Sequence, residues 1–194
     1  MDFVTTIEYI KKDIYRNIGE YNKSVLIKNF FSKATTVNLL IHYRLCHYYV
    51  TLKRRNCLQT LVYYFLLYRY KRLQIYCGVE LNHRTEIGYG LRLPHKGAIV
   101  IHPNTRIGNN CEIMSCVTIG NNIFKSRDEV PTIGNNVMIC SGARIIGKIV
   151  ISDDVVIGAN SVVNKDIASG VVVAGAPAKV IHTLASKKYL INLN

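Results

Sequence analysis

Three histidines, His83, His95 and His102, fall within a stretch of twenty residues in the middle of the chain. A histidine side chain exchanges a proton near neutral pH and can also bind a metal ion. The spacings of twelve and seven residues do not match a three-histidine metal site. The six cysteines contain no CxxC pair, so neither a zinc site nor a redox motif is predicted. Proton transfer is the chemistry that these residues favour, and no metal is expected.

A six-residue repeat surrounds the histidines. Branched aliphatic residues recur at every sixth position in three runs: Leu81, Ile87, Leu93; Ile101, Ile107, Ile113, Ile119; and Ile133, Ile139, Ile145, Ile151, Ile157, Val163. This period is neither that of a helix nor that of a single strand, so it indicates a solenoid that returns to the same face. Three hexapeptides per turn predict a parallel β-helix of roughly four to five turns.

The repeat is interrupted twice. The step from Leu93 to Ile101 is eight residues long and contains His95, whereas the step from Ile119 to Ile133 is fourteen. The longer interruption, residues 120–132, is rich in polar and charged residues and ends at a proline. It is therefore predicted to be a protruding loop, and loops on rigid scaffolds commonly carry sites.

Residues 1–78 have a different character, with eleven of the 13 tyrosines and no proline. Apolar spacing predicts a helix that ends at Gly19 and two more at about 36–52 and 56–74. This segment also holds thirteen of the 25 Lys and Arg residues but four of the 12 acidic ones. It is either a cap that packs on the repeat domain or neighbouring subunits, or a basic surface that rests on the cytoplasmic leaflet of a membrane. No nucleic-acid-binding motif accompanies the charge, so no nucleic acid is expected.

The expected organisation is a basic, Tyr-rich α-helical segment at 1–78, the repeat domain at 79–181 and a tail at 182–194. The tail is predicted to be a short helix or an irregular arm without an assigned role. No run of eighteen apolar residues and no secretory signal are present, so a cytoplasmic protein is expected, with peripheral contact to the inner face of the membrane as an option.

Four features together resemble the left-handed β-helix acyltransferases: the hexapeptide anchors, His95 within 93–97, the loop before Pro131, and the closing segment Gly175–Lys179. The chain is most similar to the serine acetyltransferase branch, which includes polysaccharide O-acetyltransferases. The resemblance covers about residues 79–181. It implies a left-handed parallel β-helix with an N-terminal α-helical segment, acetyl-CoA as co-substrate, and a homotrimer.

The resemblance also implies roles for individual residues. His95 would remove the proton from the acceptor hydroxyl as that hydroxyl attacks the thioester, because an unassisted hydroxyl is a poor nucleophile. Glu80 stands where the family has an Asp that orients the imidazole. The implied acetyl-CoA groove involves these residues: Gly120 and Asn121, whose amide would face the thioester oxygen; Ser141, Gly142 and Ala159; and, for the phosphates, Lys179 with Lys165 as a weaker candidate. His83 and His102 are interpreted as corner residues, with substrate contact as the alternative.

The acceptor is predicted from departures from the family pattern. Positions that bind the amino and carboxylate groups of serine in the family are Pro94, Glu129 and Val130 here. Because unpaired buried charges are unfavourable, a sugar hydroxyl of a capsular or extracellular polysaccharide or its precursor is the expected acceptor. Serine, as in cysteine biosynthesis, is the alternative. A non-catalytic scaffold or a γ-type carbonic anhydrase is a third hypothesis.

Overall fold

A computed structural model describes residues 1–32, 35–126, 128–183 and 189–190. The chain begins with four helices: α1 (Phe3–Ile18), α2 (Lys23–Phe31), α3 (Thr36–Thr51) and α4 (Cys57–Cys77). Asp2 caps α1 by accepting the N–H of Thr5 at 2.8 Å, and Gly19 ends it in the left-handed conformation with φ 91°. Three of the four helices were predicted. The helix α2 was missed because its apolar residues are largely consecutive and show no helical period.

Fourteen short strands follow: β1 (Val79–Leu81), β2 (Glu86–Ile87), β3 (Ile99–Ile101), β4 (Arg106–Ile107), β5 (Glu112–Ile113), β6 (Thr118–Gly120), β7 (Thr132–Ile133), β8 (Met138–Ile139), β9 (Arg144–Ile146), β10 (Val150–Ile151), β11 (Val156–Ile157), β12 (Val162–Val163), β13 (Val171–Ala174) and β14 (Lys179–Thr183). They form three sheets, in the orders β1-β3-β6-β9-β12, β2-β4-β7-β10 and β5-β8-β11-β13-β14. All pairings are parallel except that of β13 with β14. The structure is thus the predicted parallel β-helix.

The six-residue repeat forms the core of the β-helix. Every anchor residue is buried, and none is more than 7% exposed. Within the regular coils, residues four positions after an anchor are also buried, and several of them are small, such as Ala143 and Ser161. Left-handed backbone occurs at the corners, as at Asn110 with φ 56° and Asn136 with φ 55°, conformations that Asn tolerates.

The helices cover the open end of the first coil. Arg44 donates to the carbonyl oxygens of Ile87 and Gly88, both at 2.6 Å, and Tyr70 Oη donates to that of Leu81 at 2.6 Å. These bonds satisfy backbone groups that have no preceding coil to pair with. The helical segment therefore caps the β-helix, as the first interpretation predicted.

One hydrophobic core continues from α3 and α4 into the coils and includes Tyr43, Leu66 and Val173. The composition change at residue 78 coincides with the end of α4 and the start of β1. The division into two domains stays a prediction, because a shared core joins the two parts.

The closing segment differs from the sequence-based expectation. The strand β14 runs through Ile181 to Thr183, antiparallel to β13, where a short helix or irregular arm was predicted. Before it, Ala178 donates its N–H to the oxygen of Val162 at 2.8 Å, so this segment covers the last coil. The rest of the predicted tail, apart from residues 189–190, lies outside the described residues.

Candidate active site

One corner of the β-helix brings together most of the residues predicted to act on the donor. The corner that precedes β3, β6, β9 and β12, here called the His95 corner, contains Gly97–Ala98, Ser115–Cys116, Ser141–Gly142 and Ala159–Asn160. Its levels are joined by backbone hydrogen bonds from Cys116 to Gly97 at 3.1 Å, Gly142 to Ser115 at 3.0 Å, and Asn160 to Ser141 at 2.9 Å. The predicted base and part of the predicted coenzyme groove therefore lie along one column.

His95 stands at the N-terminal end of this column, on the loop between Leu93 and Ile99. Its side chain is exposed, whereas Leu93 is buried. Gly97 donates its N–H to the carbonyl of Cys77 at 2.8 Å, which ties the loop to the last turn of α4. An exposed imidazole on a tethered loop is accessible to an acceptor hydroxyl.

Glu80 lies in the middle of β1, opposite Val100 of β3. Its neighbours Val79 and Leu81 are buried, so strand alternation turns Glu80 outward onto the first sheet, where it is exposed. No hydrogen bond or ion pair joins Glu80 to His95 among the contacts of the described residues. Both residues lie at the helical end of the molecule, and their pairing stays a prediction.

Ser141, Gly142 and Ala159 form the lower part of the column. The Oγ atoms of Ser115 and Ser141 are 3.3 Å apart, and Ala159 is exposed. Gly142 has φ +80°, and a Cβ atom at this position would collide with the side chain of Asn160. The corner itself thus has small side chains, and Arg144 donates to the carbonyl oxygens of Cys116 and Gly142 beside it.

Gly120 and Asn121 lie at a different corner. Gly120 ends β6 and accepts the N–H of Gly147 at 2.9 Å, on the edge of the first sheet that faces away from the His95 corner. The loop that follows exposes Ile123 and Phe124 strongly. Within one chain the two interruptions therefore lie on opposite edges of the sheet. Strand β6 separates them by roughly 10 Å.

The two candidate phosphate ligands are also separated. Lys179 begins β14, next to Ala178, which is bonded to Val162, so it lies near the C-terminal end of the His95 corner. Lys165 follows β12 at the corner of the long loop. Both side chains are exposed, and Lys179 is the one placed along the column.

The other two histidines have structural contacts. The Nε2 atom of His83 is 3.1 Å from Tyr63 Oη, and burial lowers the pKa of His83. His102 Nδ1 accepts the N–H of Asn104 at 3.2 Å. These contacts agree with their interpretation as corner residues.

A groove beside α4 was missed by the sequence analysis. Two adjoining cavities of 560 Å³ and 370 Å³ lie between α4 and the strands β1 and β3, and both are lined by Lys71, Gln74 and Glu80. Lys71 and Gln74 are one helical turn apart and precede Gly78 by about two turns and one turn, respectively. That spacing could have indicated that they share a face near the start of the repeat.

Metal-binding clusters and membrane-spanning helices are absent from the part of the chain that the structure describes. No group of three or more His, Cys, Asp or Glu residues there could hold a metal ion. No helix in that part is long and apolar enough to cross a membrane. The six cysteines are free thiols.

Comparisons with known proteins show which proteins this chain is similar to. No protein-family model matches it. It is 37% identical over 147 residues to a serine acetyltransferase of Helicobacter pylori strain J99, covering 75% of this chain and 80% of the relative. A serine acetyltransferase of Synechococcus elongatus is 37% identical over 105 residues, 54% of this chain and 43% of the relative.

Solved structures of serine acetyltransferases are also similar to this chain. The serine acetyltransferase of Neisseria gonorrhoeae matches with a TM-score of 0.72 and 27% identity, covering 93% of this chain and 68% of that one. A serine acetyltransferase in complex with cysteine matches with a TM-score of 0.76 and 25% identity, covering 99% of this chain and 72% of that one.

The fold and these similarities define a left-handed β-helix acyltransferase with an N-terminal helical segment, as the family resemblance implied. The chain belongs to the serine acetyltransferase family. Membership confirms the prediction of an acyltransferase that uses acetyl-CoA.

The prediction of a polysaccharide O-acetyltransferase with a glycan acceptor is wrong. Relatives at 36–37% identity are serine acetyltransferases, so the alternative acceptor, serine, is the better supported. The error came from treating Pro94, Glu129 and Val130 as the only positions able to bind a zwitterion. Glu129 is ion-paired with Lys148 at 3.5 Å, and the ammonium group of Lys71 borders the groove beside Glu80.

Proposed function

We propose that this protein transfers the acetyl group of acetyl-CoA to the side-chain hydroxyl of serine. The observation that carries the proposal is the 37% identity to the Helicobacter pylori serine acetyltransferase across 80% of that relative. The exposed position of His95 at the end of a column of small residues supports it further.

In the proposed reaction His95 is the general base. The hydroxyl oxygen of serine attacks the carbonyl carbon of the thioester while its proton passes to the imidazole of His95. The C–S bond then breaks, and the CoA thiolate takes up a proton, so that the products are O-acetylserine and CoA. Glu80 orients the imidazole in this proposal, and the amide of Asn121 donates to the developing oxyanion. Removing one such donor reduces turnover by roughly 10²- to 10³-fold in other enzymes.

Acetyl-CoA is proposed to lie along the His95 corner. Ser141, Gly142 and Ala159 present a strip without large side chains, and Lys179 stands at its far end with a cationic group for phosphate. Lys165 lies at the other edge of the sheet and would meet the coenzyme of a neighbouring copy.

A homotrimer is proposed because the His95 corner and the loop after Gly120 are too far apart to form one site within a single chain. The His95 corner and the loop after Gly120 occupy opposite edges of the first sheet. A cyclic arrangement sets the loop edge of one copy against the His95 corner of the next, so that Asn121 completes its neighbour's site. Mixing inactive His95→Ala chains with inactive loop-variant chains should restore activity. No restoration, with mixed assemblies verified by mass, would contradict shared sites.

The experiment that tests the activity uses the full chain with acetyl-CoA and L-serine. Release of CoA thiol should be saturable in serine, and one O-acetylserine should form per CoA released. Thiol release that does not depend on serine would overturn the proposed acceptor.

We also propose that the outer face of α4 rests on the anionic, cytoplasmic face of a membrane. Leu58, Leu61, Phe65 and Tyr68 recur at three- and four-residue steps and are all more than half exposed. The opposite face of α4, with Leu66 and Tyr70 among its residues, packs on the core, so the helix is apolar on two sides.

The positive charge of the helical segment favours an anionic surface as the partner of the outer face of α4. No Asp or Glu occurs between Glu20 and Glu80, a stretch that contains the exposed basic run Lys53–Arg55. A basic, aromatic face of this kind binds anionic lipid through charge and apolar burial together.

Flotation with vesicles of phosphatidylcholine and phosphatidylglycerol tests this surface. The wild type should float at low salt, whereas Phe65→Ser should float less. The control, Phe124→Ser, removes an exposed aromatic ring from the long loop and should float like the wild type. Failure of the wild type to float would exclude the membrane surface.

A further inference from the structure

We propose that Lys71 binds the carboxylate of the acceptor and that Gln74 accepts a hydrogen bond from its ammonium group. This inference rests on serine as the acceptor. Pro94, Glu129 and Val130 occupy the positions that bind serine according to the family resemblance, so the charged ends of serine need other partners in this chain.

The first support is the shape of the site. The cavities of 560 Å³ and 370 Å³ adjoin along α4, and Lys71, Gln74 and Glu80 line both. The larger cavity is also bordered by Gly78 and Ile99. The two cavities therefore share three side chains with polar groups.

The second support is the position of the groove beside the predicted base. Ile99 donates its N–H to the oxygen of Gly78 at 3.0 Å, and Gly97 donates to Cys77 at 2.8 Å. The loop that carries His95 is therefore fastened to the rim of the groove at two points. The larger cavity is therefore next to the loop that carries His95, and His95 itself does not line it.

The third support is that Lys71 is available. It is exposed, and no acidic side chain pairs with it among the described residues. The two neighbouring cations of α4 are engaged: Arg69 donates to the carbonyl of Phe30 at 3.0 Å and Arg72 to Tyr76 Oη at 2.9 Å. The ammonium group of Lys71 is thus the cation that can serve a ligand at this groove.

Gln74 is already oriented for the second contact. Its Nε2 atom donates to the carbonyl of Leu81 at 2.6 Å, which fixes the side-chain amide. No donor reaches Gln74 Oε1 in the described part of the chain. A carboxylate on Lys71 and an ammonium group on Gln74 Oε1 match the two charged ends of serine.

The test compares Lys71→Ala, Lys71→Arg and Arg72→Ala, each with serine and with ethanolamine, which lacks the carboxylate. Lys71→Ala should raise the KM for serine roughly 10- to 100-fold, the range typical of a lost charge-assisted contact. Its KM for ethanolamine and for acetyl-CoA should remain at the wild-type value. Lys71→Arg should recover most of the affinity for serine, and Arg72→Ala should behave like the wild type.

The outcomes separate this inference from the proposed activity. If the wild type acetylates serine and Lys71→Ala leaves the KM for serine unchanged, the inference is wrong and the activity stands. An equal rise in KM for serine and ethanolamine would also overturn it, since that result indicates a general structural effect. If the wild type does not acetylate serine, the proposed function fails and the inference fails with it.

Discussion

Asp13 of α1 and Arg44 of α3 form a buried ion pair, with 2.7 Å between Arg44 Nε and Asp13 Oδ2. Asp13 also accepts the N–H of Leu91 at 2.9 Å, and Arg44 donates to the carbonyls of Ile87 and Gly88. Burial raises the pKa of Asp13, and the Arg44 guanidinium opposes that rise. This pair fastens two helices to the first coil.

Asp13→Ala should therefore destabilise the protein strongly. The variant leaves a buried guanidinium without its counter-ion, which in other proteins lowers the free energy of unfolding by about 3 to 5 kcal/mol. Urea unfolding measures the change. Glu8→Ala is the matched control, because Glu8 pairs with Lys11 on the exposed side of the same helix and exposed pairs contribute little. Equal effects of the two substitutions would contradict the anchoring role of Asp13.

Acid should destabilise the fold through His42. Burial lowers the pKa of His42 to about 4, whereas the unfolded chain has the ordinary value of about 6.5. The unfolded state binds the proton more readily than the folded state. The free energy of unfolding is therefore highest above about pH 6.5 and decreases as the pH falls towards about 4. The largest loss is roughly 3 kcal/mol.

Unfolding free energies at pH 7.5 and pH 5 test this expectation. The difference between the two values should shrink in His42→Leu and stay unchanged in His182→Leu, because His182 is exposed on β14. Burial also lowers the pKa values of His47 and His83, so part of the pH dependence remains in every variant. An unchanged difference in His42→Leu would contradict the role of His42.

Gly142→Ala should disturb the His95 corner. Gly142 has φ +80°, and an added Cβ atom would collide with Asn160 one level below. A strained residue of this kind costs about 1 to 3 kcal/mol, and displacement of the corner should also weaken acetyl-CoA binding. Gly120→Ala is the comparison, because a Cβ atom added there would meet no other atom within 4 Å. Thermal unfolding should show a larger loss of stability in Gly142→Ala than in Gly120→Ala, and calorimetric titration should show weaker acetyl-CoA binding in Gly142→Ala than in the wild type.

Much of the β-helix follows from local sequence rules. Ile119 and Ile145 are both completely buried because the repeat requires each anchor to return to the interior. The stacking of corners also follows from the period: Gly142 and Asn160 are eighteen residues apart, which is one coil of three hexapeptides. The same step relates Gly97 to Ser115. The column below His95 could therefore be predicted once the fourteen-residue interruption was recognised.

The docking of the helices could not be predicted in this way. The contact of Arg44 with Gly88 joins residues 44 positions apart, and no periodicity specifies which carbonyl a buried guanidinium reaches. The groove that contains Lys71 depends on the angle at which α4 meets β1, which long-range packing decides. The acceptor was mispredicted from Pro94, Glu129 and Val130 alone, and the comparisons with serine acetyltransferases corrected it.

The most direct test of the account is the turnover of His95→Ala beside His102→Ala. Both histidines lie at the corners that flank β3, and His102 has a structural contact with Asn104. If His95 is the general base, His95→Ala should bind acetyl-CoA with the wild-type Kd and lose about 10²- to 10⁴-fold in kcat, while His102→Ala should retain most of its activity. Near-normal turnover of serine by His95→Ala would contradict the assignment of His95 as the base.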